Sequence, residues 1–222
     1  MADGKVIVFE GVDGSGKSTI AQFVHKHIGE DKSVLARNPG STLLGQELRN
    51  LIKHRKDIEI DKFTEQLLFM ADHSAFINGV MIPTIKAGKH VICDRHDLIG
   101  NIAYGYAGGL SKTKTYNMRR LFWGAPLIDL LFIFHCSRES SEARAKNRNK
   151  QCKVEARGNV YLDGARRVYE ATAGDAPKDA EAMVEEILFM ARTTVHVDAN
   201  KSLDEVKEDV LHHLVEMGIT SL

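Results

Sequence analysis

The chain has 222 residues, 43% of them hydrophobic, and its 30 basic residues balance 30 acidic ones. This size predicts one domain with a full core, and the balanced charge argues against a nucleic-acid partner. No apolar run has the length of a membrane span, which argues against a membrane partner, and we expect no signal peptide. The few scattered cysteines, Cys93, Cys136 and Cys152, indicate reduced thiols and a cytoplasmic location.

Apolar runs alternate with helical patterns along the chain, and several of the runs are continuously apolar. Such runs are typical of strands that are buried on both faces of a sheet. The predicted strands, in chain order, are Val6–Glu10, Ser33–Arg37, His90–Asp94, Leu130–Cys136 and Thr194–Asp198. The alternation of strands with helices predicts an α/β fold, a five-stranded parallel sheet with helices on both faces.

A glycine-rich segment, G-V-D-G-S-G-K-S-T over residues 11–19, follows the first predicted strand. Its spacing, G-x-x-x-x-G-K-S, is typical of a loop that binds nucleotide phosphates. Gly14 and Gly16 allow backbone N–H groups to turn inward, and the helix beginning near Lys17 directs its positive end at the same anion. Lys17 can reach the β- and γ-phosphates, and the Ser18 hydroxyl suits Mg²⁺.

Two later helices have predictable ends. Asp61 is placed to cap a long helix to Ala87, in which Pro83 introduces an irregularity. Ser202 and Glu205 form a capping box at the start of the last helix. The predicted apolar face of that helix consists of Leu203, Val206, Val210, Leu214 and Met217.

Charged residues follow the second and third predicted strands, where a parallel sheet places its ligands. Asp94 ends the third strand and could hold the water shell of Mg²⁺, while Arg95 could clamp a second phosphate. Arg37 and Arg49, after the second strand, suit an anionic substrate. The polar, basic segment 146–157 has the composition of a lid that brings cations over a transferred phosphoryl group.

Taken together, these motifs resemble those of the thymidylate kinases, P-loop nucleoside monophosphate kinases that phosphorylate dTMP with ATP. The similarity begins at the phosphate loop, 9–19, and continues in R-N-P-G-S-T at 37–42, close to the family's R-E-P-G-G-T. The segments L-L-F-M-A-D-H at 67–73 and D-R-H-D-L at 94–98 resemble its base-binding helix and its D-R-Y/H signature. Asp198-Ala199 resembles the segment near the adenine site, so that the resemblance covers most of the chain.

The resemblance implies roles for individual residues. ATP would lie on the phosphate loop, at Gly11, Gly14, Ser15, Gly16, Lys17, Ser18 and Thr19. Mg²⁺ would be held at Ser18 and Asp94. The monophosphate would contact Asp13, Arg49 and Arg95, its base would stack on Phe69, and Asn101 and Tyr104 would line base and sugar. Lys17, Asp13 and Arg95 would act in catalysis.

The chain departs from the family pattern at several positions. The phosphate loop has Gly14 where some members have the catalytic arginine, so we expect that charge from the lid, with Arg148, Lys153 and Arg157 as candidates. Lys153 aligns best with the usual lid arginine. His73 stands where the family has an arginine that faces the pyrimidine edge, and Asn38 replaces an acidic residue.

Two further expectations concern the outer parts of the molecule. An amphipathic helix within 173–192 looks like an insertion relative to compact members of the family. Thymidylate kinases are usually homodimers, and the long apolar helix 61–87 could supply a two-fold interface or could be buried within one chain.

Other functions remain open at this point. The departures at Asn38 and His73 allow a kinase for another pyrimidine monophosphate, such as dUMP or a base-modified nucleotide. A deoxynucleoside kinase would leave Arg49 and Arg95 without a substrate phosphate. A GTPase-like switch is disfavoured because the chain has no N-K-x-D motif, and the pair Asp94-Arg95 replaces a D-x-x-G motif.

Overall fold

A parallel five-stranded sheet organises the molecule in the computed structural model, which describes residues 4–146, 153, 155–174, 178 and 180–221. The strands are β1 (Val6–Gly11), β2 (Ser33–Arg37), β3 (His90–Asp94), β4 (Ile128–His135) and β5 (Ala191–Asp198). Their spatial order is β2-β3-β1-β4-β5, and all four pairings are parallel. The predicted α/β class and strand count are confirmed.

The helices alternate with the strands and cover the sheet. In chain order they are α1 (Lys17–Ile28), α2 (Leu43–Lys53), α3 (Lys62–Phe76), α4 (Ile82–Lys86), α5 (Asp97–Ala107), α6 (Lys112–Arg120), α7 (Arg138–Lys146), α8 (Asn159–Ala171), α9 (Glu181–Phe189) and α10 (Leu203–Glu216). Helices α1 and α10 contact each other, while α5, α8 and α9 form a second packed group. Among the described helices, none is both long and apolar enough to cross a membrane.

The strand order explains where a site can form. The chain moves from β1 to β2 in one direction across the sheet, and from β3 to β4 in the opposite direction, past β1. Because parallel crossovers are right-handed, this reversal places α1 and α5 on opposite faces and leaves a crevice at the carboxyl ends of β1 and β3. The phosphate loop and the Asp94-Arg95 pair both lie at this crevice.

The core lies on both sides of the central strands. The side chains of β1 and most of those of β4 are almost fully buried. Phe9 stacks on Phe132 with ring centroids 5.1 Å apart and contacts Phe134 at 6.1 Å. Burying one such ring stabilises the fold by about 1.5–3 kcal/mol, so these two strands fix the frame that carries the phosphate loop. Cys93 and Cys136 are buried free thiols in this frame, as expected.

Differences from the predicted strands concern their ends. β4 begins at Ile128 and ends at His135, and β5 begins three residues earlier than predicted, at Ala191. β5 is an edge strand whose residues are mostly half-buried or exposed. The polar start of β5, Arg192 and Thr193, therefore carries little apolar signal even though its backbone pairs with β4.

The long helix predicted from Asp61 is present but irregular. Asp61 caps α3 by accepting from the N–H groups of Phe63 and Thr64. A π-helical turn, Ile77–Met81, separates α3 from α4, so that the irregularity lies just before Pro83 rather than at it. The capping box at Ser202 and Glu205 is confirmed, whereas Leu203 is half-exposed and not part of the apolar face.

The amphipathic helix predicted within 173–192 corresponds to α9. Met183 and Ile187 are buried against the group formed by α5 and α8, while Leu188 is exposed. Phe189 follows as a largely exposed aromatic residue and Met190 is buried again. Helix α9 therefore extends the layer formed by α5 and α8, and the apolar side chain of Phe189 at its carboxyl end stays exposed.

Candidate active site

The phosphate loop forms a tight turn between β1 and α1. Gly11, Gly14 and Gly16 have φ values of +139°, +85° and +90°, a region that favours glycine. A Cβ on Gly14 would overlap the backbone carbonyl of Ser141, whereas a Cβ on Gly16 would meet no atom within 4 Å. Helix α7, which carries Ser141, is therefore packed directly against the loop, and no side chain fits at Gly14.

Two buried polar groups in the loop are placed for an anion. Ser15 is 1% exposed, and its hydroxyl has no hydrogen-bond partner. Lys17 begins α1, is 4% exposed and donates from Nζ to the Val12 carbonyl at 3.0 Å. Burial, together with the nearby charge of Arg95, lowers the pKa of Lys17 to about 8. A bound phosphate would give the Ser15 hydroxyl a partner and favour the charged form of Lys17.

Arg95 lies at the centre of the crevice. Its Nη2 donates to Asp13 Oδ1 at 2.6 Å and its Nη1 to the Gly11 carbonyl at 3.1 Å. Among the described residues it is the only non-glycine residue with positive φ, at +80°. Such a backbone costs about 1–3 kcal/mol and persists only where surrounding contacts enforce it, which is typical of functional sites. The Arg95 guanidinium also holds the pKa of Asp13 well below its usual range, against the effect of burial.

Glu10 is a buried carboxylate that sequence reasoning missed. It is fully buried at the end of β1 and accepts from the His96 N–H at 2.7 Å and from the Tyr169 hydroxyl at 3.0 Å. Glu10 Oε2 also lies 3.5 Å from Arg95 Nη1. Burial raises the pKa of Glu10, partly offset by Arg95 and the His96 N–H. The sequence signal for Glu10 was a charged residue within an otherwise apolar strand.

A cleft opens next to the phosphate loop and contains most of the predicted substrate residues. The members of that prediction that line it are Asp13, Phe69, Arg95, Asn101 and Tyr104. Its wall also includes Lys53, Gln66 and Asp97, which were not predicted. The buried amide oxygens of Gln66 and Asn101 and the Tyr104 hydroxyl have no hydrogen-bond partner, so the cleft offers polar groups to a ligand.

Other predicted residues lie at the rim of this cleft. Arg49, on α2, donates from Nη1 to the carbonyl of Pro39, which lines the cleft, at 2.7 Å. Asn38 is buried and donates from Nδ2 to the Arg95 carbonyl at 3.2 Å, so the residue that departs from the family pattern supports Arg95. Asp94 is buried, with Arg37 Nε 3.7 Å from its Oδ2. Ser18 and Thr19 lie in the first turn of α1.

His73 is not brought to the cleft. It is 1% exposed and packs edge-on against His96 and Phe122, with ring centroids 4.5 and 4.8 Å away. It lies on the same helix as Phe69, four residues on, but it lines a different cavity. An imidazole is shorter than an arginine side chain, and here the apolar contacts of its ring hold it among the aromatic residues. The expected contact of His73 with the pyrimidine edge therefore has no support in this geometry.

The lid candidates have partners away from the phosphate loop. Lys153 Nζ donates to the carbonyls of Arg55 and Ile58 at 2.9 and 2.8 Å. Arg157 forms a bidentate pair with Glu65, at 2.5 and 2.9 Å, on the cleft wall. Arg148 lies outside the described residues, as does most of the predicted lid. In the described part of the lid, Lys153 and Arg157 thus bind to α3 and to the segment before it.

A further arginine was missed by sequence reasoning. Arg144, at the end of α7, donates from Nη2 to the Ala199 carbonyl at 2.9 Å. Ala199 follows β5, and its N–H donates to the His135 carbonyl at 2.7 Å. Arg144 belongs to α7, the helix that packs on the phosphate loop, and it adjoins the predicted adenine segment. The sequence shows that this helix carries arginines, but only the fold shows which way Arg144 points.

Comparisons with known proteins agree with this geometry. The model of the thymidylate kinase family, described as "Thymidylate kinase", matches residues 9–210. A thymidylate kinase of Caldicellulosiruptor saccharolyticus is 31% identical over 209 residues, covering 93% of this chain and 94% of that protein. A probable thymidylate kinase of Methanosarcina barkeri is 31% identical over 223 residues, covering 96% and 97%. A thymidylate kinase of Cupriavidus metallidurans is 30% identical over 208 residues, covering 92% and 94%.

The matched region includes the phosphate loop, the Arg95 centre and the substrate cleft, and its length leaves little of either sequence uncovered. The sequence match covers nearly the whole chain, and the chain belongs to the thymidylate kinase family, a group of nucleoside monophosphate kinases.

Proposed function

We propose that this protein transfers the γ-phosphoryl group of ATP to dTMP. One observation carries the proposal. Asp13 belongs to the phosphate loop, lines the substrate cleft and pairs with Arg95 at 2.6 Å, so the two sites share this residue as a common wall. A phosphoryl group leaving a nucleotide on the loop would therefore arrive directly at an acceptor in the cleft, as in-line transfer requires.

ATP would be bound at the loop through its phosphates. The inward N–H groups near Gly14 and Gly16, the unpartnered Ser15 hydroxyl and Lys17 supply the donors. Lys17 would stabilise the charge that develops between the β- and γ-phosphates. Arg144 and the backbone around Ala199 would border the adenine ring, because a guanidinium plane stacks well on an aromatic base.

The monophosphate would be bound by charge and the base by shape. Arg95 would turn from Asp13 toward the acceptor phosphate, with Arg49 nearby at the rim, and Asp13 would then accept a hydrogen bond from the sugar or phosphate. Phe69 would stack on the base. The unpartnered amide oxygens of Asn101 and Gln66 are suited to accept from the N3–H of thymine.

Mg²⁺ would accompany ATP at the loop. The donors fit this ion, because the Ser18 hydroxyl and the Asp94 carboxylate are hard oxygen ligands. No group of three His, Cys, Asp or Glu residues in the described parts of the chain could hold a metal. This agrees with an ion that is held mainly by phosphates and water. When bound, Mg²⁺ would neutralise charge on the β- and γ-phosphates.

The lid would supply the remaining cation. Segment 146–157 would act as a small lid on a single kinase domain spanning residues 1–222, and Arg148 is the candidate for the cation that acts on the transferred group. Lys153 and Arg157 would instead hold the lid to the cleft wall. Comparing Arg148→Ala with Lys153→Ala and Arg157→Ala in single-turnover kinetics tests this division, since only Arg148→Ala should slow the chemical step without weakening dTMP binding.

The experiment for the function itself is an ADP-release assay with a panel of nucleosides and nucleoside monophosphates. We expect dTMP to have the highest kcat/KM and thymidine to be inactive, because thymidine gives Arg95 no phosphate. Asn101→Ala should lower the ratio of kcat/KM for dTMP over dCMP by about tenfold, one lost hydrogen bond. His73→Phe serves as the matched control and should leave that ratio unchanged. A preference for any other nucleotide would contradict the proposal.

We also infer a homodimer in the cytoplasm. Leu43 and Leu44, at the start of α2, and Leu67, on α3, are 83%, 57% and 43% exposed on two helices that pack together. Exposed apolar side chains grouped in this way favour a self-complementary interface. The two described cysteines are free thiols, which supports a reducing compartment.

A further inference from the structure

A second cavity lies behind the substrate cleft, between α3, the segment after α6 and the end of α9. It has a volume of about 250 Å³ and is lined by aromatic and apolar side chains, among them Phe122, Trp123, Leu127 and Phe189. Its inner wall is formed by His73 and His96. We call this space the histidine–aromatic cavity. The function proposed above makes no use of it.

The inner wall carries hydrogen-bonding atoms without partners. His73 is 1% and His96 is 5% exposed, and the Nδ1 atom of each is buried with no hydrogen-bond partner. Leaving such an atom unpaired costs about 1–3 kcal/mol, so two side by side are unusual in a folded interior. Burial lowers the pKa of both rings, that of His96 to about 4, so both are neutral near pH 7.

The outer wall is aromatic and open. Trp123 is 71% and Phe189 is 63% exposed, and their rings stack with centroids 6.4 Å apart. The Arg119 guanidinium lies over both rings, at 5.5 and 5.1 Å, and is neutralised by an ion pair with Glu186. The cavity therefore presents flat apolar faces in front of two neutral imidazole rings, with no uncompensated charge among its described residues.

We propose that the histidine–aromatic cavity is a second binding site, for a neutral planar heteroaromatic molecule of the nucleobase class. Its ring would lie against Phe122 and Trp123, and its polar edge would hydrogen-bond to the Nδ1 atoms of His73 and His96. A charged ligand would find no counter-ion here, and a purely apolar one would leave both histidines unpaired.

The site would be linked to the substrate cleft. His96 lines both cavities, and its N–H donates to Glu10, whose carboxylate also contacts Arg95. Because this donor is the backbone N–H of His96, a ligand would have to shift the His96 backbone, and not only its ring, to change the support of Arg95. Only this coupling rests on the proposed function, while the binding itself does not.

Trp123 is the only tryptophan of the chain, so its fluorescence reports directly on this cavity. We would titrate the full-length protein with thymine and with adenine, with toluene as an apolar probe, both with and without dTMP. Saturable quenching by at least one base that persists with dTMP present is the expected result. No saturable change with either base, or binding of toluene as tight as that of the bases, would overturn the proposal.

Two variants and one control separate this cavity from the substrate cleft. Ala125→Phe fills the histidine–aromatic cavity and should weaken base binding at least tenfold, and His73→Phe removes one polar partner and should weaken it at least threefold. Leu121→Phe, an exposed residue outside the lining, is the matched control and should not change it. Thermal melts identify a variant that fails to fold. If the Trp123 emission changed with protein concentration and not with ligand concentration, this surface would be one of self-association, and the proposal would be overturned.

Discussion

At the scale of single residues, the conformation of Arg95 links the fold to the chemistry. Its side chain joins Asp13 and Gly11, its carbonyl accepts from Asn38, and its backbone is in the left-handed region. The Asn38 amide and the Phe9 carbonyl hold the backbone of Arg95, while Asp13 and Gly11 hold its guanidinium at the crevice. Backbone and side chain are thus fixed by separate hydrogen bonds that meet at this one residue.

Arg95→Gly and Arg95→Ala should both lose activity but should differ in stability. Both remove the guanidinium, yet glycine adopts φ near +80° freely whereas alanine keeps the strain. We expect the glycine variant to be about 1 kcal/mol more stable than the alanine variant in urea unfolding. Equal stability of the two would show that the backbone at this position is not strained.

Lys17 gives a prediction for pH. Its pKa, lowered to about 8 by burial, should rise when phosphates occupy the loop. ATP binding at pH 8 should therefore take up about half a proton, and at pH 6.5 almost none. Calorimetry in buffers of different ionisation enthalpy measures this number. Lys17→Met should abolish the uptake and lower kcat at least a hundredfold, and uptake that survives in Lys17→Met would assign the proton elsewhere.

The same shift affects folding stability. Because the folded-state pKa of Lys17 lies below its ordinary value of 10.5, the unfolded chain binds more protons between about pH 8 and 10.5. The contribution of Lys17 to the free energy of unfolding therefore rises with pH across that window. Below about pH 8, the full penalty for burying the charged lysine lowers the stability.

At the scale of elements, the packing of α7 on the phosphate loop determines which side chains the loop can carry. Gly14 faces the Ser141 carbonyl, so the loop cannot supply an arginine at this position. The helix that blocks Gly14 also carries Arg144 toward the segment after β5. Loop, helix and adenine segment thus form one packed unit.

Gly14→Ala and Gly16→Ala provide a matched pair for this packing. Both positions have φ near +90°, so each alanine should cost about 1 kcal/mol for the left-handed backbone. Only Gly14→Ala also overlaps a backbone carbonyl, so it should be further destabilised by about 1–3 kcal/mol. Thermal unfolding compares the two. Equal losses would show that α7 yields to the added methyl group.

At the scale of the whole molecule, the exposed leucines on α2 and α3 predict the quaternary structure. Leu67→Glu should convert the proposed homodimer into a monomer, since a buried unpaired carboxylate disrupts an apolar interface. Light scattering coupled to size exclusion measures the mass. Leu203→Glu, at an exposed leucine on α10, is the control and should remain dimeric. A wild-type chain that is monomeric at micromolar concentration would refute the proposal.

The sequence by itself determined the α/β class, the five strands, the phosphate loop and most of the cleft residues. These features depend on local signals, namely continuous apolar runs, caps such as Asp61, and glycines at fixed spacing. Asp13, Phe69, Arg95, Asn101 and Tyr104 could be named because motif spacing along a strand or helix determines which residues share one end of the sheet.

The tertiary structure alone decided which polar groups face each other. Gln66 and Lys53 line the cleft, although no motif distinguishes them from other polar residues. His73 lies outside the cleft, although it was expected at the base, because helix periodicity gives its face but not the depth to which its short ring reaches. The neighbours that occupy the space around such a side chain come from distant parts of the chain, and only the packed structure brings them together.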